Sequence, residues 1–192
     1  MGKERLTAFT DGVVAIIITI MVLELKLPRG VALSDLVPLL PVFLSYVLSF
    51  VYVGIYWNNH HHLLHVARSI SGPILWANMH LLFWLSVTPF VTAWMGENGL
   101  SAVPVAAYGA VLIMNAIAYT ILTRLLLRHE GPDSVLARAI GRDFKGWASL
   151  AAYITGVALA FIQPIASIAI YVFVAMVWFI PDRRIERALR RA

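Results

Sequence analysis

Cysteine is absent from this chain of 192 residues, and charged side chains are scarce, at 13% of the sequence. The lack of cysteine excludes disulfide frameworks, thiolate metal sites and cysteine nucleophiles. A soluble domain is usually about a quarter charged, so this chain has too few charges to cover a soluble surface or to remain disordered in water. Hydrophobic residues make up 60% of the sequence. The composition therefore predicts an integral membrane protein.

Charge-free stretches indicate where the chain crosses the membrane. A hydrocarbon core about 30 Å thick needs about 20 apolar residues in a helix, and positions 36–67, 69–96 and 98–123 contain no Asp, Glu, Lys or Arg. The longer charge-free stretch 146–181 is interrupted by Gln163-Pro164, which predicts a helical hairpin. We therefore expect an all-α integral membrane protein in which residues 1–192 form a single domain of six transmembrane helices. The predicted helices cover about 5–26, 36–57, 74–96, 101–127, 146–162 and 165–181.

Basic residues are distributed unevenly between the predicted loops. Six spans place 13 of the 15 basic residues on one side, leaving only Lys26 and Arg29 on the other. The 13 are Lys3, Arg5, Arg68, Arg124, Arg128, Arg138, Arg142, Lys145, Arg183, Arg184, Arg187, Arg190 and Arg191. By the positive-inside rule, we expect both termini to be cytoplasmic. We also expect a multi-pass protein of the cell's inner (plasma) membrane. The net charge of +5 thus reflects membrane orientation and does not predict nucleic-acid binding.

The first helix differs from the others because its charge-free run is short and lies between Asp11 and Glu24. At about 100° per residue, one stripe of this helix collects mostly apolar side chains. The stripe contains Arg5, Phe9, Gly12, Ile16, Thr19, Ile20 and Leu23. Ile16, Ile20 and Leu23 around a symmetry axis would form a hydrophobic constriction that closes by dewetting. Thr19 beside them could hold a partly hydrated cation, although ordinary helix packing also explains such spacing.

Three short motifs carry a resemblance to a known family. The run Arg5-x-x-x-Phe9-Thr10-Asp11, together with Trp57-x-x-His60 and Asn78-x-x-Leu-Leu-Phe, resembles the signature of the transmembrane protein 175 family of endosomal and lysosomal potassium channels. Thr10 replaces the usual Ser and keeps its hydroxyl. The resemblance implies a potassium-channel architecture of six helices that lacks the T-V-G-Y-G filter of ordinary potassium channels, and no such run occurs here.

The resemblance also implies specific roles. Prokaryotic members assemble as homotetramers in membrane lipid, and their first helices line a central path for potassium and other monovalent cations. The main constriction corresponds to Ile16, with further hydrophobic layers at Ile20 and Leu23, and the layer linked to selectivity corresponds to Thr19. No enzymatic activity and no cofactor are implied. Glu24, at the outer end of the helix, would either shape a cation vestibule or form an interfacial pair with Lys26.

Predicted topology brings polar residues of the first three helices to one depth. They are Arg5, Thr10 and Asp11, then Trp57, Asn58, Asn59 and His60, and then Trp76, Asn78 and His80. Buried polar groups in a membrane need partners, so we expect a shared hydrogen-bond network that fixes the first helix to its neighbours. The cluster from His60 to His65 is expected to form an interfacial loop rather than a metal site, because no carboxylate accompanies it.

A small secondary transporter of a cation or small solute is the alternative to a channel. Such transporters often contain internal repeats and broken helices near the midplane, and no convincing three-plus-three repeat is found here. A membrane enzyme that uses the histidines is the least favoured class, because no span contains a charged catalytic pair at depth.

Overall fold

The computed structural model describes residues 2–134, 136–137 and 144–179. Within these residues the chain forms six α-helices and no strand, so the predicted all-α class is confirmed. The helices are α1 (Lys3–Leu23), α2 (Leu40–Val66), α3 (Gly72–Glu97), α4 (Ala102–Glu130), α5 (Phe144–Ala160) and α6 (Pro164–Phe179). The first four helices are long and apolar enough to cross a membrane. The basic residues at 138, 142 and 183–191 and the predicted end of the sixth helix at 181 lie outside the described residues.

Local sequence determines where the helices begin and end. A short 3₁₀-helix (Leu33–Leu39) precedes α2 and contains Pro38, so α2 begins later than the predicted residue 36. Ser71 lies immediately before α3, which contains a proline in its first turn. Gly131, whose φ is +88°, ends α4. Pro164 begins α6 directly after the turn of the α5–α6 hairpin.

The second helix is longer than predicted and includes the whole histidine cluster. It continues to Val66, so the histidines from His60 to His65 lie on a helix and the expected interfacial loop is wrong. The reason is local: no glycine or proline interrupts residues 58–66, and polar residues such as Asn and His lower helix propensity only slightly. The cluster therefore presents its side chains at helical spacing.

Two hydrophobic clusters hold the helices together. One joins α1 to α2, α3 and the second half of α4, and the other joins the first half of α4 to α2, α3, α5 and α6. Close approach depends on glycine at two positions. A Cβ at Gly96 would lie 2.7 Å from the Val42 Cα, and one at Gly109 would overlap the Tyr171 ring and hydroxyl. Helix α1 therefore packs on one side of a bundle whose interior is built by the other helices.

Interhelical contacts place most of the described basic residues at the same end of the bundle. Lys3 at the start of α1 bonds to backbone carbonyls at the end of α2, and the Arg68 backbone N–H donates to Glu130 at the end of α4. The Arg124 guanidinium lies over the Trp147 ring near the start of α5. We call this end of the bundle the basic end. At the opposite end, Lys26 forms an ion pair with Glu97.

Candidate functional site

Helix α1 has one face packed against the bundle and one face that nothing in the described chain covers. The packed face is spaced by three or four residues and contacts α2 and α3. Its buried members are Leu6, Thr10, Val14, Ile17 and Met21. Because side chains three and four apart share one side of a helix, the residues between them lie on the opposite side. The packed face therefore determines which residues of α1 remain uncovered.

The uncovered face includes the stripe identified in the sequence. The exposed fractions are 60% for Ile16, 43% for Ile20 and 76% for Leu23. Arg5, Phe9 and Thr19 are also exposed on this side. The Thr19 hydroxyl donates to the Ala15 carbonyl at 2.8 Å, so its proton is used within the helix and its oxygen lone pairs are presented outward. This face of α1 thus presents exposed aliphatic side chains and the Thr19 hydroxyl.

A buried chain of hydrogen bonds ties α1 to α2 and α3. The Asn78 amide nitrogen donates to the Thr10 hydroxyl at 3.0 Å, and the Asn78 carbonyl oxygen lies 2.7 Å from His60 Nε2. A carbonyl oxygen can only accept, so His60 carries its proton on Nε2 and donates it to Asn78. All three side chains are almost completely buried. One asparagine therefore satisfies a polar group on each of two neighbouring helices.

A second bond joins the same helices at the exposed edge. The Trp57 indole N–H donates to the Asp11 carboxylate at 2.9 Å. The His61 ring stacks on Trp57 with ring centroids 5.9 Å apart, and the His65 ring stacks on His61 at 6.2 Å. Asp11 thus faces α2, and a column of three rings follows α2 towards its end.

Several residues expected at this level do not join the hydrogen-bond chain. The Trp84 indole donates to His80 Nε2 within α3 at 3.0 Å, and Trp76 is 78% exposed. Asn59 donates to the Ile55 carbonyl of its own helix. Sequence reasoning grouped these residues by depth, whereas the rotation of each helix determines which of them face α1.

Lys3 is a positioning residue that sequence reasoning missed. Its ammonium group donates to the His65 and Ala67 carbonyls, both at 3.0 Å. These carbonyls lie at the end of α2, where the helix leaves oxygens without intrahelical partners and carries partial negative charge. The available signal was a lysine at the start of the first helix, but the second helix was predicted to end at residue 57, so the carbonyls that Lys3 contacts were not expected at a helix end.

At the C-terminal end of α1, the structure does not form the predicted pair between Glu24 and Lys26. Lys26 pairs with Glu97 at 2.7 Å rather than with Glu24. Glu24 is the residue after the last turn of α1 and is exposed. The interfacial Glu24–Lys26 pair is therefore not formed, because the end of α3 offers a nearer carboxylate.

A second polar cluster lies away from α1, in the half of the bundle opposite the basic end. Ser49 Oγ lies 2.6 Å from Thr92 Oγ1 and 3.0 Å from the Tyr108 hydroxyl, and all three side chains are buried. The Tyr52 hydroxyl donates to the Tyr171 carbonyl at 2.6 Å. These bonds join α2, α3, α4 and α6 internally. Among the described residues no group of three or more His, Asp or Glu side chains is arranged to hold a metal ion.

Comparisons with known proteins agree on one family. The family model described as endosomal/lysosomal potassium channel TMEM175 matches residues 5–89. A protein named potassium channel from Chryseobacterium sp. (strain P1-3) is 54% identical over 190 residues, which cover 99% of each chain. The endosomal/lysosomal proton channel TMEM175 of Homo sapiens is 34% identical over 96 residues, which cover 43% of this chain and 19% of the human protein.

A solved structure shares the whole architecture. The crystal structure of a lysosomal potassium-selective channel TMEM175 homolog from Chamaesiphon minutus superposes with a TM-score of 0.80. The two chains are 27% identical, and the match covers 94% of this chain and 97% of the other. The predicted resemblance is thereby confirmed. The chain is an integral membrane protein that belongs to the TMEM175 family, a family of ion channels and not of enzymes.

Proposed function

We propose that this protein is a potassium-permeable cation channel of the plasma membrane. It assembles as a homotetramer with α1 of each subunit at the central axis. The observation that carries the proposal is the uncovered face of α1, which presents exposed aliphatic side chains together with the Thr19 hydroxyl. One helix of one chain cannot enclose a pathway, so a closed pathway needs several copies. The names of the bacterial relative and of the solved homologue support potassium as the permeant ion.

Ile16, Ile20 and Leu23 form the gate in this proposal. They lie at successive turns of α1, about 5 Å apart along the axis, so four copies would produce three stacked aliphatic rings. A narrow apolar ring excludes water. An ion would have to lose its hydration shell to pass such a ring, so it is blocked until the ring widens. The gate therefore closes by dewetting and opens when the helices separate.

Thr19 forms the selectivity-related layer between two of these rings. Its hydroxyl proton is engaged by the Ala15 carbonyl, so the oxygen presents lone pairs and no donor to the axis. Four such oxygens replace part of the hydration shell of a monovalent cation. Glu24 at the outer end adds negative charge that concentrates cations in a vestibule.

The signature residues hold α1 in register. Thr10 is tied through Asn78 to His60, and Asp11 accepts from Trp57. We expect Asp11→Ala, or loss of His60, to impair assembly or opening, because α1 then loses bonds that fix its rotation. If either variant assembles and conducts as the wild type does, these bonds have no part in gating.

A proteoliposome flux assay tests the proposal. Purified protein is sized and then reconstituted, and potassium efflux is coupled to dye quenching through an added protonophore. We expect a tetramer and a potassium-dependent signal that increases for Ile16→Ala. Ile154→Ala is the matched control, because Ile154 is 55% exposed on α5 and lies away from the stripe. A stable monomer that shows saturable, coupled uptake would instead support the secondary transporter.

The same vesicles separate potassium from proton permeation. The human relative is named a proton channel, so the signal is also recorded without the protonophore. We expect dye quenching only when the protonophore is present, because the protonophore carries in the protons that balance the potassium leaving the vesicle. Rapid quenching without it would show that protons permeate the protein itself. Thr19→Val should reduce discrimination between potassium and sodium while leaving the oligomer unchanged.

A further inference from the structure

A lateral groove lies between α2, α4, α5 and α6, on the side of the bundle away from α1. Its volume is about 500 Å³, within the range of sites that hold small organic ligands. Tyr52, Ile55, Ala116 and Tyr153 line its deep part. The described part of the lining contains no Asp or Glu. The groove is thus apolar inside, and the described part of its rim carries no negative side chain.

Basic side chains surround the mouth of the groove at the basic end. Arg124 lies with its guanidinium carbon 5.8 Å from the centre of the Trp147 ring, and Lys145 Nζ lies 4.5 Å from that of Trp178. His62 also lines this part. Cations held over aromatic faces keep their positive charge and restrict its position. Among the described residues no carboxylate pairs with Arg124, so its charge is available to an anion.

The Arg124 side chain can bind an anion at the mouth of the groove. Arg124 is exposed and lines the groove. A phosphate oxygen at the groove mouth would accept hydrogen bonds from its guanidinium group.

The depth of the groove suits an acyl chain below such a phosphate. Arg124 and Ala116 are eight residues apart on α4, which is about 12 Å along the helix. The basic end lies at the headgroup level if α4 spans the bilayer, and tryptophans are typical of that level. From mouth to base, the lining therefore changes from cationic to hydroxyl-bearing to apolar over the length of part of a lipid tail.

We propose that the lateral groove is a binding site for an anionic phospholipid. The phosphate lies against Arg124 and Lys145, and one acyl chain enters between α4 and α5. The site is distinct from the α1 face and does not depend on the proposed conduction. An occupant there would stabilise the α5–α6 hairpin, whose helices are the shortest of the bundle.

Native mass spectrometry of the purified full-length protein tests the site. The protein in detergent is titrated with dioleoyl phosphatidylglycerol or dioleoyl phosphatidylcholine. We expect the anionic lipid to remain bound preferentially to the wild type. Dihexanoyl phosphatidylglycerol and inorganic phosphate are added as competitors, and both should compete poorly because neither fills the apolar part. Equal retention of the two dioleoyl lipids, or full competition by inorganic phosphate, would overturn the proposal.

Variants locate the headgroup. Arg124→Gln should weaken phosphatidylglycerol binding about five-fold, the effect of losing one cation near an anionic lipid. Arg128→Gln is the matched control, because Arg128 is exposed on the same helix and does not line the groove. Lys145→Gln removes the other cation at the groove mouth and should also weaken binding, which provides a readout if Arg124→Gln assembles poorly. Equal effects of Arg124→Gln and Arg128→Gln would show nonspecific charge attraction and no site.

Discussion

Replacing Asn78 with leucine tests the buried hydrogen-bond chain most directly. Asn78 donates to Thr10 and accepts from His60, so Asn78→Leu removes two interhelical bonds and leaves two buried groups without a partner. Interhelical hydrogen bonds in membrane proteins average about 0.6 kcal/mol and reach about 1.7 kcal/mol. The free energy of unfolding should therefore fall by about 1–3 kcal/mol. For a chain of this size that corresponds to a Tm lower by about 2–12 °C.

The assay is thermal unfolding of the purified protein in detergent, followed by circular dichroism. Asn98→Leu is the matched control at the residue after the end of the same helix, since Asn98 is exposed and its side chain bonds only to the Trp94 carbonyl of α3. We expect that control to change stability by less than about 0.5 kcal/mol. In a double-mutant cycle with Thr10→Val, the two effects should overlap by about 0.6 kcal/mol.

Either of two results would show that the buried hydrogen-bond chain does not hold α1 in place. If Asn78→Leu unfolds at the same temperature as Asn98→Leu, the buried chain contributes nothing beyond packing. If the effects of Asn78→Leu and Thr10→Val are fully additive, the two side chains are not coupled. Either result would also remove the physical basis for assigning these signature residues to the positioning of α1.

Three further changes have expected outcomes in the same unfolding assay. Lys3→Met removes two charge-assisted bonds to the end of α2 and should cost about 1–3 kcal/mol; an unchanged Tm would contradict that role. Lys26→Ala breaks a pair whose side chains are 64% and 38% exposed, so the free energy of unfolding should fall by no more than about 1 kcal/mol. A larger fall would contradict the interpretation of this ion pair as a surface contact. Gly96→Ala places a Cβ 2.7 Å from the Val42 Cα and should destabilise the α2–α3 contact by about 1–3 kcal/mol. An unchanged Tm for this variant would show that α2 and α3 do not need to approach so closely.

Features that depend on local hydrophobicity could be predicted from the sequence. The all-α class follows from charge-free runs, and the uncovered face of α1 follows from helical spacing at Ile16, Ile20 and Leu23. Both are properties of one segment, since a helix must form its own backbone hydrogen bonds in lipid. The buried partners of Thr10 were also expected as a group because polar residues on three helices reach the same depth.

Features that depend on helix rotation and partner choice could not be predicted in this way. Lys26 had two carboxylates within reach, and its choice of Glu97 over Glu24 requires the position of α3. His80 shares its depth with Asn78 but lies on another side of α3 and bonds to Trp84. The extension of α2 through the histidines was not predicted because the predicted helix ends where the apolar residues end. The backbone continues as a helix through the polar residues, which lower helix propensity only slightly.

The polar anchors of α1 are concentrated at one end, and this has a mechanical consequence. Lys3, Thr10 and Asp11 hold the first half of the helix, while the second half contacts the bundle through apolar side chains. The helix therefore resembles a cantilever clamped near Asp11. A tilt of about 10° about that point would move Ile16 by about 1 Å and Leu23 by about 3 Å, given a rise of about 1.5 Å per residue. The outermost aliphatic layer would travel furthest for the least rearrangement at the clamp.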